Sequence, residues 1–167
     1  IMASGSPAAF AKTEPVLAAL AAKVYRLGEE CGQGSTVKMV NQLLAGVHIA
    51  AAAEAMALGV KAGVDPAQLY EVISNSAGSS WMFQNRVPHM LAGDYTPLSA
   101  VEIFVKDLGI VLDTGKANRF PLFLSAVAHQ MFLMAASAGY GRLDDAAVVK
   151  VFEQLANISV RAGDHEQ

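Results

Sequence analysis

The sequence predicts a mainly α-helical protein built around one long central helix and preceded by a short strand–helix–strand segment. Three observations carry that reading. From Ser35 to about Ala62 no strong breaker interrupts the chain, and between Lys38 and Lys61 the only formally charged side chain is Glu54. Beyond that stretch, prolines, glycines and capping residues cut the chain into helix-length pieces. Hydrophobic residues make up 53% and charged ones 16%, below the roughly 25% charged of an average soluble domain. Such a chain buries helices on nearly all sides or hides a large face in a subunit interface.

Taken in order, Ile1 and Met2 read as the tail of a strand. Ser6 before Pro7 marks a helix start, because proline at the first helical position gives up no needed N–H. Pro15 should interrupt this helix, with Thr13 capping a second piece that runs to about Ala22. Lys23 to Leu27 alternates and contains β-branched and aromatic residues, which predicts a strand. Strand, helix, strand is the pattern of the end of an α/β domain. The character changes after Gly28, so residues 1–31 and 32–167 read as separate domains. Gly32-Gln33-Gly34 reads as a flexible hinge, followed by a helix of roughly 28 residues, about 42 Å long. A helix so apolar must be wrapped by neighbours.

Asp65-Pro66 then caps a helix through about Ser74, and Gly78-Ser79-Ser80 is a loop. Trp81 to Leu91 is helical, with Pro88 expected to kink or end it. Gly93 to Pro97 is a loop. Val101 to about Ala117 is helical, with Val101, Phe104, Val105, Leu108 and Leu112 on one side. Pro121 opens a further helix to about Ala138, uncharged and therefore expected to be buried. Gly139-Tyr140-Gly141 ends it. Asp144 or Asp145 caps a last helix to about Asn157, and the polar tail beyond reads as frayed.

Composition narrows the function classes. A net charge of −3 leaves no basic footprint for nucleic acid and no charge run for an anionic membrane. The stretch from Leu43 to Val60 has the length of a membrane span. It is dominated by alanine and carries His48 and Glu54, so a buried soluble helix is expected. The single cysteine, Cys31, allows no internal disulfide and suits a reducing compartment, hence a cytoplasmic setting. The chain opens at Ile1 with no charged leader, and reads as a segment of a longer protein.

The informative segment is Gly32-Gln33-Gly34-Ser35-Thr36-Val37-Lys38-Met39-Val40-Asn41-Gln42. Its glycines permit a tight turn and a close approach by another group. The unpaired N–H groups at the helix mouth favour an anionic ligand such as a carboxylate. Lys38, Asn41 and Gln42 stand at i, i+3 and i+4, one helical face, and place a proton donor or acceptor beside two amides. Lysine titrates near ~10.4 in water, whereas a base at neutral pH is best at roughly 7–8, so catalysis by Lys38 requires a closed, desolvating cleft. On physics alone, a solvated or structural first turn is the plainer reading of this spacing.

The pattern Gly-x-Gly-x-x-x-Lys-x-x-Asn-Gln at Gly32 to Gln42 resembles the catalytic signature of the β-hydroxyacid dehydrogenases, the family of 3-hydroxyisobutyrate, tartronate-semialdehyde and L-threonate dehydrogenases. Phe104-Val105-Lys106-Asp107-Leu108 is similar to the family's later Phe-x-Lys-Asp-Leu element. Ile1 to Gly5, with Phe10 and Pro15-Val16-Leu17, resembles the end of its nucleotide-binding domain. The resemblance implies a Rossmann domain ending near residue 31, then an all-α substrate and dimerisation domain over 32–167, like the C-terminal part of 6-phosphogluconate dehydrogenase. It further implies NAD or NADP as cofactor, Lys38 as the proton-transfer residue, and Asn41, Gln42 and Gly34 about the substrate. Lys106 would contact the nicotinamide end of the cofactor, with Phe104 walling that site. Family members often carry asparagine where Gln42 stands. No Gly-x-Gly-x-x-Gly phosphate fingerprint occurs in the chain, so residues 1–167 alone are expected neither to bind a dinucleotide well nor to turn over substrate.

The implied substrate is a small hydroxy acid, L-threonate first, then 3-hydroxyisobutyrate or tartronate semialdehyde. The competing reading is a non-catalytic helical oligomerisation module of the same shape, and both readings expect a homo-oligomer, dimer or tetramer. Other residues read more plainly. Cys31 is a passive small residue, and His48, His89 and His129 lack metal-ligand spacing. Glu54 is expected to cap a buried polar contact. Trp81 fills core or lines an entrance, Asn85 and Arg86 could reach a substrate carboxylate, and Met131 to Met134 are core or interface filler.

Overall fold

A computed structural model describes residues 1–164, which fall into two compact units, Ile1–Gln42 and Leu43–Gln167. In the first, β1 (Met2–Ala3) and β2 (Tyr25–Arg26) pair in parallel, Met2 opposite Tyr25 and Ala3 opposite Arg26. Parallel strands need a crossover, and α1 (Pro7–Leu20) provides it. The Ser6 hydroxyl accepts from the Ala9 N–H and Pro7 opens the helix, as its sequence indicates. Pro15 does not interrupt α1, contrary to expectation. Thr13 lies inside the helix, where its hydroxyl donates back to the Ala9 carbonyl at 2.8 Å instead of capping a second piece. The carbonyl that Pro15 leaves without its helical donor is that of Ala11, an exposed residue, where the loss is cheap.

The long helix α2 (Gln33–Lys61) begins two residues before the expected start. Gly34, expected in a hinge, is inside it and buried. A Cβ at Gly34 would sit 2.8 Å from the Met2 carbonyl oxygen and 3.0 Å from the Ala3 Cα. The group that approaches this glycine closely is therefore the chain's own first strand. The turn into the helix is made by Gly32, at φ +105°, a left-handed conformation that favours glycine.

In the second unit, the Leu43–Lys61 part of α2 contributes Ile49, Ala53 and Met56 to the core. Four further helices surround this core: α3 (Pro66–Ser74), α4 (Trp81–Ala92), α5 (Val101–Ala117) and α6 (Phe123–Ala135). A π-type turn (Ala136–Tyr140), a 3-10 turn (Asp145–Val148) and α7 (Val149–Ala156) complete the unit. Asp65 and Ser80 cap α3 and α4, accepting from the N–H groups of Gln68 and Phe83. Asp144 caps the 3-10 turn by accepting from the Ala146 N–H.

Pro88 does not end α4, which continues to Ala92. Proline at 88 leaves the Gln84 carbonyl without its helical donor. The Tyr70 hydroxyl, from α3, donates to that carbonyl at 3.2 Å. The repair comes from another helix, and the same tyrosine stacks on Phe83 with ring centroids 5.9 Å apart.

Several burial expectations are corrected. α6 is uncharged but only one face is covered, by Ser125, Ala128, Phe132 and Ala135, while Phe123, Leu124 and Val127 are 79%, 72% and 63% exposed. Glu54 is exposed and caps no buried contact. Trp81 is exposed rather than in the core. α2 is long and apolar enough, by length and composition alone, to cross a membrane, and 44% of its most apolar window is buried within the chain; the complete wrapping expected of it is not supplied here. Residues 158–164 of the tail are anchored rather than frayed. Val160 is fully buried and its N–H donates to a Glu153 carboxylate oxygen, while the Ala162 N–H donates to the Leu91 carbonyl. The last part of that tail, from His165, lies outside the described residues.

Candidate active site

The candidate site is assembled at the start of α2. Gly34 presses on β1, and its N–H donates to the Ser4 hydroxyl at 3.1 Å. Gly28, at φ +110°, leaves room for the Gln33 side chain, which a Cβ there would strike. These contacts fix the first helical turn, and with it the direction in which the next turn projects its side chains.

On that next turn, the face expected from the i, i+3, i+4 spacing is formed. The Lys38 ammonium donates to the Gln42 side-chain oxygen at 2.6 Å, and the Asn41 amide donates to the same oxygen at 3.1 Å. Lys38 and Asn41 are exposed and Gln42 is half-buried. The closed cleft that a lysine base requires is therefore not supplied by the described residues. Cys31, just upstream, is exposed and free.

In the second unit, Lys106 projects from α5 with its side chain 66% exposed and its ammonium 2.9 Å from the Asp107 carboxylate. Phe104, two residues earlier, is only 2% exposed and stacks on Phe132 with centroids 5.1 Å apart. It is a core residue rather than an open wall. Its ring also explains Gly46, where a Cβ would come within 2.9 Å of it. The Phe104 ring thus fixes the α5 turn that carries Lys106. Val105, between them, receives a further bond at its carbonyl from His129 Nε2 at 2.9 Å, so that nitrogen carries the imidazole proton.

Arg86 does not offer its guanidinium outward for a substrate carboxylate. It is buried and bonded to both oxygens of Asp145, at 2.5 and 3.2 Å, and to Asn85. Asp144 beside it is also fully buried, accepting from the Leu98 N–H at 3.0 Å, with His89 Nδ1 3.7 Å away. Burial pushes the Asp145 carboxyl up, Arg86 opposes this, and Asp144 adds to it. Burial likewise pushes the Tyr95 phenol up. This network joins α4 to the 3-10 turn across 59 residues of sequence, and only its capping member was legible beforehand.

A groove of about 520 Å³ runs between α2 and the α3–α4 region, lined by His48, Leu58, Leu69, Ile73, Ser79 and Phe83 among others. It is largely apolar and brings no set of polar groups to one point. Among the described residues no group of three or more His, Cys, Asp or Glu could hold a metal ion.

Gly34, the Lys38–Asn41–Gln42 face and the Lys106–Asp107 pair all lie within residues 32–152. Residues 32–152 match the family described as "NAD-binding of NADP-dependent 3-hydroxyisobutyrate dehydrogenase", and the chain belongs to it. Within that family it is similar to the L-threonate dehydrogenase of Cupriavidus necator, 68% identical over 152 residues, 91% of this chain and 51% of that protein. The L-threonate dehydrogenase of Haemophilus influenzae is 61% identical over 156 residues, 93% of this chain and 52% of that protein. Among solved structures, a 3-hydroxyisobutyrate dehydrogenase from Salmonella typhimurium superposes with a TM-score of 0.86 at 60% identity, over 90% of this chain and 53% of that one. The chain spans about half the length of the curated relatives it matches.

Proposed function

We propose that this chain is the C-terminal, substrate-facing part of an NAD(P)-dependent dehydrogenase that oxidises a small β-hydroxy acid, L-threonate first and 3-hydroxyisobutyrate next. In this reading residues 1–31 end the nucleotide-binding domain and 32–167 form the helical substrate and dimerisation domain. The single observation that carries it is the convergence of Lys38, Asn41 and Gln42 on one hydrogen-bonded face inside the family-matched region. The names of relatives at 61–68% identity support the choice of L-threonate.

Lys38 takes the proton of the substrate hydroxyl as the adjacent carbon gives up hydride, Asn41 and Gln42 supply the surrounding amides, and Gly34 sets the helix mouth. The cofactor, when bound, supplies the hydride acceptor. The exposed Lys106 ammonium suits contact with such a group, with Phe104 holding its helix from behind, while the described residues offer no glycine-rich phosphate cradle. Desolvation of Lys38 then has to come from substrate and from the nucleotide-binding domain that the resemblance implies. The exposed apolar face of α6 supports homo-oligomerisation, and the free Cys31 suits a reducing cytoplasm.

The test is Lys38→Ala in the full-length enzyme. Turnover should fall by about 10²–10⁴-fold, the range of general acid–base catalysis, with cofactor affinity nearly unchanged. Retained turnover would overturn the assignment.

A further inference from the structure

Two apolar seams run along the second unit, and each repeats every seven residues. On α2, Ala51, Ala55, Leu58 and Ala62 stand at i, i+4, i+7 and i+11, all exposed. That is the narrow stripe by which one helix packs along another. These residues line the groove between α2 and the α3–α4 region, and none of the side chains lining it is Asp, Glu, Lys or Arg. Its far wall is seated at Gly59, where a Cβ would come within 2.3 Å of a Leu69 methyl. On α6, Leu124, Val127, Met131 and Met134 stand at i, i+3, i+7 and i+10, with Phe123 beside them and Phe120 just upstream. α6 carries no Asp, Glu, Lys or Arg either. The α2 seam is mostly alanine and hollow, whereas the α6 seam is a ridge of large side chains. Large residues laid over small ones interdigitate without voids.

Resting on the reading of this domain as the one that forms the homo-oligomer, we propose that the α6 ridge of a second copy lies in the α2 groove. A twofold axis makes the contact reciprocal. Area argues for this occupant. Phe120 and Phe123 are 64% and 79% exposed. Together they offer roughly 200–350 Å², from the about 150–250 Å² that one aromatic side chain can bury. A stable dimer buries about 800 Å² on each partner, and the aliphatic members of the ridge do not make up the difference. Self-pairing of α6 would therefore give a small interface and leave the groove open. With a ridge and a groove from each copy, two equivalent contacts bring the area to that scale. A twofold pairing also closes on itself, so neither seam is left over for a third copy. Neither seam offers a counter-charge, and a partner with charged residues at the contact would bury them unpaired.

Disulfide trapping in the full-length enzyme tests this, with Cys31 and any other cysteine replaced by serine. Two differently tagged chains are co-expressed. One carries Ala51→Cys, Ala55→Cys or Ala62→Cys, and the other carries Leu124→Cys, Val127→Cys or Met134→Cys. At least one pairing should link the two tags on oxidation, since a disulfide forms where Cα atoms lie within about 7 Å. Links only between two α6 cysteines, or no link in any pairing, would overturn the proposal. Sedimentation of the parent enzyme separates the two ways of failing. A monomer removes the homo-oligomer reading as well, whereas an oligomer without these links removes only this placement. A second variant needs no cysteine. Ala55→Trp fills the groove from an exposed position, so helical circular dichroism should be kept. The dissociation constant for self-association should rise by about tenfold or more, as overpacking a buried contact does. An unchanged constant would leave the groove without a partner helix and defeat the proposal.

Discussion

Gly34 concentrates the demands of the helix mouth in one position, since any side chain there would meet the Met2 carbonyl at 2.8 Å. That oxygen and the Ala3 Cα, 3.0 Å away, both belong to backbone, so neither yields cheaply. Gly34→Ala should therefore destabilise the chain by about 1–3 kcal/mol, the usual cost of overpacking; an unchanged urea midpoint would remove the packing argument. Asp145 makes a second prediction. Its carboxyl is raised, by burial first, so the folded chain keeps this proton to higher pH than the unfolded chain does. The stabilisation it brings is complete below the ordinary value of 3.8 and is lost as pH rises through the raised one. Urea midpoints measured from about pH 4 to pH 7 should thus contain a declining component that Asp145→Asn lacks. Removing the partner instead, by Arg86→Met, should cost about 3–5 kcal/mol at neutral pH, because a buried carboxylate loses the counter-charge that faces it. The pairing of Arg86 with Asp145 was not legible in the residues themselves. Arg86 and Asp145 are far apart in sequence, and nothing local distinguishes a buried arginine from one that greets a substrate.

Among the elements, the starts of helices were the most legible, because a cap is a local device. Ser6 and Asp65 each precede a proline and each accept from an N–H three residues on. The cap of α4 works the same way, and Ser80→Ala should cost about 0.5–2 kcal/mol, read as a lowered melting temperature. Prolines inside helices were less legible, since their cost depends on what becomes of one carbonyl, which is a tertiary question. α6 shows a different limit. Lack of charge predicts burial, yet hydrophobic sequence reports only a preference, and half of this helix finds no cover among the described residues. Val127→Glu and Leu124→Glu together should shift the sedimentation coefficient toward monomer while leaving the helical circular dichroism intact. A monomer already in the parent protein would refute an interface on this helix.

At the level of the whole molecule, the architecture was readable because the strand–helix–strand opening, the long helix and the helices after it differ in periodicity and punctuation. The candidate site was half readable. The spacing of Lys38, Asn41 and Gln42 put them on one face, and the coordinates show them bonded to one another. Which of these side chains donates to which is a matter of geometry that no sequence carries. The chain covers about half of its relatives' length and contains no phosphate fingerprint. Isothermal titration of residues 1–167 with NAD or NADP should accordingly show no binding tighter than the millimolar range that roughly 4 kcal/mol allows; micromolar affinity would contradict this.

The bond from Tyr70 to the Gln84 carbonyl has a dynamic consequence. A helix that needs a hydroxyl from its neighbour to close a gap in its own ladder cannot keep its last turns when that neighbour departs. Amide hydrogens of α4 beyond Pro88 should thus exchange with solvent in the same opening event as those of α3, and Tyr70→Phe should speed the former without affecting the latter. The proline, in effect, sets a seam along which two helices breathe together.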